Sequence, residues 1–260
     1  MGTQRARRQA FFAAHPHCCF CGGQVAATEI DHIPARHLFR RREWPEGYEF
    51  PACTPCNRQS ALDELVMGAV VRIQVSDLSA EDEREMLEAF AKINNRRPEW
   101  IQKTREFTRN ETKRALKAEG LTTAAFPGGE VYMMELPTEF IDASHRYAEK
   151  LGRALYYKST GKPIPPKGGV KATALTNTQW MSPNFALEGF KLLTVQPPLT
   201  RAGKNLDDQF AYRYGVAEDG PAAAFLIQFR ESVVMFVLAY ESEEEHQRVR
   251  ARRNAPSEGA

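Results

Sequence analysis

Four cysteines in two Cys-x-x-Cys pairs, Cys18/Cys21 and Cys53/Cys56, bracket the run Glu29-Ile30-Asp31-His32-Ile33-Pro34, and Asn57-Arg58 follows the second pair directly. Four thiolates from two such knuckles are a donor set of tetrahedral zinc. A disulfide framework normally spreads an even number of cysteines along a chain, whereas all five here lie before residue 57. The spacing points to one structural zinc rather than a redox pair, with Cys19 a bystander. Gly22-Gly23 permits the tight turn of the first knuckle. His15 and His17 border it, but the four thiolates already complete a tetrahedron.

The enclosed residues have chemistry of their own. Hydrolysis of a phosphodiester needs a base for water and a cation to neutralise charge on the phosphate and leaving oxygen. Histidine titrates near neutral pH, so His32 suits the first task. A hard divalent ion such as Mg²⁺ or Mn²⁺ prefers oxygen ligands and keeps several waters, so the Asp31 carboxylate and the Asn57 amide oxygen suit the second. The zinc would hold a strand carrying Asp31 and His32 beside the start of a helix carrying Asn57. Two plainer roles stay open: Asp31 orienting His32, and Asn57 capping the helix. His37 is expected in a loop or surface role, and Asp63 and Glu64 either brace the site or are solvated.

The segments CCFCG, DHIP and CTPCNRQSALDE resemble the HNH (His-Me finger) nucleases, in their zinc-stapled four-cysteine branch, over residues 18–64. The resemblance implies a ββα-metal fold, His32 as general base, Asp31 and Asn57 as ligands of the catalytic ion, and the four cysteines on structural zinc. Arg58 and Arg40, Arg41 and Arg42 become candidates for holding phosphate. The family usually carries an asparagine in the loop before the second cysteine pair, where this chain offers Tyr48 and Glu49.

The elements that must position these groups follow from pattern. Residues 4–14 suggest a basic helix, residues 24–30 a short strand, and residues 57–71 a helix burying Leu62, Leu65, Val66 and Ala69. Ser79 with Asp82 starts another helix, and Pro98 and Gly120 frame one more. Residues 125–130 form a turn at the main boundary. Residues 136–159 are an amphipathic helix with Phe140, Ile141, Tyr147, Leu151, Ala154 and Leu155 on one side. Strand-like runs follow at 170–175, 190–195, 209–215, 223–230 and 232–240, and the charged tail begins as a helix. The expected class is α+β: an N-terminal zinc-bound module (1–75), a helical connector (76–125), and a C-terminal α+β domain (126–260) with a long helix on an antiparallel sheet.

Bulk composition narrows the partners. The 260 residues carry a net charge of only +2, with 42% hydrophobic and 26% charged residues. No apolar run approaches the roughly 20 residues that span a bilayer, so a cytoplasmic protein without a membrane partner is expected. The net charge supplies no whole-molecule attraction to nucleic acid, but arginines cluster at 5–8, 40–42, 105–114 and 248–253. Nucleic acid, by the resemblance DNA, is the expected partner. The C-terminal domain is assigned recognition of a target, a partner protein or a second copy. By the same analogy the chain suits antiphage defence or a mobile element. A zinc-finger protein that binds nucleic acid without cutting it is the alternative.

Overall fold

The computed structural model describes residues 2–73, 78–126, 131–183, 185 and 190–254. The chain opens with α1 (Gly2–Ala14), then two short antiparallel strands, β1 (Glu29–His32) and β2 (Glu49–Ala52). Their register pairs Asp31 with Phe50 and His32 with Glu49. The first strand starts later than its β-forming residues suggest. Upstream, Ala26 bridges His17, and the Ala27 N–H donates to the Pro16 carbonyl at 2.9 Å, so this stretch closes the first knuckle instead. Next come α2 (Thr54–Gln59) and α3 (Ala61–Val70), joined at Ser60 where one continuous helix was expected.

A helical stretch follows: α4 (Ala80–Arg96), α5 (Pro98–Ile101), β3 (Arg105–Glu106) and α6 (Arg109–Ala118). The expected single helix from Pro98 to Gly120 is broken, because Arg105 and Glu106 pair with β4 (Met134–Glu135) and Thr108 starts a new helix. Thr108 and Glu111 form a reciprocal capping box. The Thr108 N–H, then Arg105, pull the Glu111 carboxyl down to about 2. Its unfolded value is higher, so this contact stabilises α6 above the ordinary glutamate range and is lost as pH falls toward 2. Glu111→Gln should therefore flatten the acid limb of a stability-versus-pH curve; an unchanged limb would rule the contact out.

The C-terminal half is built on α7 (Thr138–Thr160) and a five-stranded antiparallel sheet. In chain order the sheet comprises β5 (Gly169–Thr176), β6 (Thr194–Val195), β9 (Ala211–Val216), β10 (Ala222–Phe229) and β11 (Val233–Tyr240). Between them lie α8 (Asn177–Trp180) and the hairpin of β7 (Thr200–Arg201) and β8 (Lys204–Asn205), and α9 (Glu243–Asn254) follows. The spatial order is β5-β11-β10-β9-β6. Only Thr194–Val195 of the run 190–195 pairs, because Phe190 is turned into ring contacts with Phe185 and Phe236. The boundary expected at 75/76 and residues 127–130 of the expected turn lie outside the described residues.

Helix α7 buries Phe140, Tyr147, Leu151 and Leu155 at three-to-four spacing. It contacts β5 and β11 and also α3. At Gly152 a Cβ would lie 2.4 Å from Val237 Cγ1, so the missing side chain is what lets helix and sheet approach. The buried apolar cluster is continuous from Cys18 and Phe50 through Val66 and Tyr147 to Phe229 and Val237. The cysteine-rich segment thus shares its core with the sheet. Among the described residues no helix is long and apolar enough to cross a membrane.

Candidate functional site

Cys18, Cys21, Cys53 and Cys56 bring their sulfurs within 4.8 Å of one another. A tetrahedron with metal–sulfur bonds of about 2.3 Å has edges of about 3.8 Å, so the span suits one ion. Local backbone makes the arrangement. Gly22 and Gly23 sit at φ +70° and +77°, and the Gly23 N–H donates to the Cys18 carbonyl at 3.0 Å. Pro55 opens α2, and the Asn57 N–H donates to the Cys53 carbonyl at 3.0 Å. Burial and neighbouring sulfurs push the Cys21 and Cys56 thiols up; Cys18, although burial opposes it, is held down by backbone amides at Cys53, Cys21 and Phe20. Four clustered thiolates would repel one another, and a cation among them removes that cost. These side chains are placed to hold one metal ion, and their chemistry is compatible with zinc. Cys19 stands outside the cluster, buried, with its thiol raised by that burial.

Along β1 successive side chains alternate, so Glu29 and Asp31 share one face and His32 takes the other. Asp31 is buried, and the Lys150 ammonium of α7 lies 2.6 Å from its Oδ2. Lys150 also donates to Ser60 Oγ at 2.5 Å and to Glu64 Oε1 at 2.9 Å, with the Phe20 ring 5.0 Å away. Burial works against the charged lysine, but Asp31 and Glu64 outweigh it and raise its pKa. The ammonium is therefore held charged between two acids. Asn57 meets a different partner: its Nδ2 donates to Glu29 Oε2, and Thr54 Oγ1 donates to Glu29 Oε1 at 2.7 Å. Those bonds, Asn57 first, pull the Glu29 carboxyl down. Asn57 is inside α2, whose N-cap residue is Cys53, so it does not cap the helix. Asp31 and Asn57 are thus engaged by Lys150 and Glu29 respectively, and this donor set does not fit an open divalent-cation site. The cations at the site are the chain's own.

His32 faces a second cluster. Its Nε2 is within hydrogen-bond reach of Arg36 Nη2 and 3.5 Å from Glu49 Oε1. The ring meets Trp44 edge-on at 5.0 Å. The Arg36 guanidinium lies 3.8 Å from the Trp44 ring centre and that of Arg201 lies 4.0 Å from it. Burial, then Arg36, lowers the His32 pKa, with Glu49 opposing. That shift favours the neutral imidazole, the form with a lone pair to offer. His37, expected in a loop or surface role, instead pins the loop to α3: its Nε2 meets the Glu64 carbonyl at 2.8 Å, and its ring packs on Gly68.

The other arginines divide. Arg40 is committed to acids, its Nε 2.8 Å from Asp82 and its Nη1 2.9 Å from Asp208. Asp82 is fully buried and also receives Arg230 Nη1 at 2.7 Å, so Arg40 closes a structural network. Arg41 lies 3.7 Å from Glu81. Arg42 acts on Arg36 through space, and Arg58, exposed, acts on Glu29. Asp63 takes a bidentate pair from Arg146 of α7. Four functional candidates were missing from the sequence reading: Lys150, Arg201, Trp44 and Arg36. Only Arg36 carried a local signal, four residues after His32. No family model matches the chain, and no curated protein or solved structure matches it either.

Proposed function

We propose that the N-terminal module is an HNH-type nuclease that hydrolyses phosphodiester bonds in DNA, stapled by zinc on Cys18, Cys21, Cys53 and Cys56. The observation that carries this reading is His32, packed edge-on against Trp44 and beside the Arg36 guanidinium, with burial lowering its pKa. A water between His32 and a bound phosphate would lose its proton to Nε2 as its oxygen attacks phosphorus. The P–O bond opposite then breaks, and solvent protonates the leaving oxygen. Arg36 moves from Nε2 to a phosphate oxygen, freeing the lone pair and neutralising the developing charge.

The test is conversion of supercoiled plasmid with Mg²⁺ or Mn²⁺ supplied. His32→Ala should slow cutting by about 10²–10⁴-fold while DNA binding in a gel-shift assay stays near wild type. Cutting by the variant at the wild-type rate would sink the assignment. The non-catalytic zinc-finger reading is favoured by one specific observation, that Asp31 and Asn57 are engaged by Lys150 and Glu29. DNA binding without cutting under any divalent ion would decide for it.

A further inference from the structure

We propose that Arg36 and Arg201, both seated against the Trp44 ring, form a two-guanidinium clamp for the scissile phosphodiester, so that the C-terminal half completes the site around His32. The proposal rests on the nuclease reading for its substrate, but the clamp is argued from geometry. The two guanidiniums lie 3.8 and 4.0 Å from one indole centre, and that indole touches the imidazole. Arg36 Nε is buried and has no hydrogen-bond partner among the described residues. A guanidinium has five donors, and phosphate oxygens match its fork. The charge balance also favours an anion. Arg36, Arg42 and Arg201 act together here, while the neighbouring acids are shared: Glu49 with Arg7 at 3.2 Å, and Glu43, which also acts on Arg201, with Lys204 at 2.7 Å.

Arg201 is not a loose surface side chain. It ends β7, and the turn to β8 runs through Ala202 (φ +49°) and Gly203 (φ +81°), a conformation that sends the chain straight back. The hairpin is fastened to the loop that carries Trp44. The Glu46 N–H donates to the Thr200 carbonyl at 3.0 Å, and the Ala202 N–H donates to Glu46 Oε1 at 2.9 Å. Lys204 Nζ lies 2.7 Å from Glu43 Oε1. Arg36 comes from a single 3-10 turn four residues beyond His32. The hairpin thus delivers a cation to the N-terminal module from 165 residues downstream of Arg36 (201 − 36). Stacking on an indole suits arginine and not lysine, which is a point charge on a flexible stem.

The test uses the full chain and inorganic phosphate, followed through the NMR signals of the Trp44 indole N–H and the Arg36 and Arg201 Nε–H groups. Phosphate should shift all three in wild type. Arg201→Gln should weaken its binding by about tenfold or more, as loss of a charge-assisted contact does. Arg201→Lys should recover only part of that, and Lys92→Gln on α4, the same charge change on an exposed helix, should leave it unaltered. Phosphate binding to Arg201→Gln at wild-type strength would overturn the clamp. Plasmid assays separate the two claims. If wild type never cuts but binds phosphate through Arg201, the clamp stands and the nuclease reading fails. If wild type cuts and Arg201→Gln cuts with unchanged KM and kcat, the nuclease reading stands and the clamp fails.

Discussion

Lys150→Met should destabilise the fold by about 3–5 kcal/mol, the usual cost of removing one partner from a buried ion pair. The ammonium lies within 2.9 Å of Asp31, Ser60 and Glu64, so the variant leaves two acids facing one another without a cation. Its stem is also packed, and a methionine of similar length keeps that packing, so the loss reads out charge and not volume. Urea unfolding gives the measurement, and a loss below about 1 kcal/mol would show that water or protonation relieves the acids, since burial already raises the Asp31 pKa. Combining Lys150→Met with Asp31→Asn should recover part of the loss, because the pair is coupled. The same variant tests the second metal. If the lysine holds a position that a divalent ion can take, Mn²⁺ should raise the Tm of Lys150→Met and leave that of wild type unmoved, since only a ligand that binds the folded state stabilises it. An unmoved Tm in both would leave Asp31 as a positioning group for β1.

What was legible in the sequence had short range. Each cysteine pair is local, so its spacing reports a ligand set whatever the rest of the chain does. The periodicity of α7 and the apolar runs of β10 and β11 are local too, and those elements lie within two residues of where their patterns put them. The break between Pro98 and Gly120 was also written locally, in Thr108 and Glu111, but the stronger proline and glycine punctuation masked it. Pairings across long separations were not legible. Asn57 meets Glu29 rather than Asp31, two residues further along β1 and about 6.6 Å away, because the phase of α2 against the strand depends on how the knuckles seat. Nothing in residues 138–160 says that Lys150, on a face otherwise occupied by Tyr147 and Leu151, points at an acid of the N-terminal module. Arg201 is a lone arginine in a loop until the hairpin is folded onto Glu46. The partners that complete the site therefore came from tertiary packing, which no spacing rule records.

Removing the metal should unfold the N-terminal module and spare the sheet. Strands β1 and β2 have four residues each, and α2 has six, too little to bury a core of their own. Besides the cysteines, the two knuckles are tied by the β1–β2 ladder and by backbone bonds from Cys19 to Pro51 and from Thr28 to Ala52. These few bonds must hold four sulfurs together against their mutual repulsion once the cation is gone. Structural zinc in small modules accounts for about 10–16 kcal/mol of apparent folding free energy, enough to decide whether such a module folds. The remainder differs: β10 and β11 pair over eight residues, and Phe225, Ile227, Met235 and Val237 are fully buried. Metal analysis of protein purified under reducing conditions should find one zinc per chain. A chelator, or Cys53→Ser, should then speed hydrogen exchange across residues 18–60 while the amides of β10 and β11 stay protected. The knuckle also meets the C-terminal half, since a Cβ on Gly22 would lie 2.8 Å from the Ile164 carbonyl. Exchange at residues 163–166 should rise together with it, and more slowly exchanging neighbours in α7 should follow only near Lys150. A metal-free protein whose residues 18–60 exchange as slowly as the sheet would refute the staple.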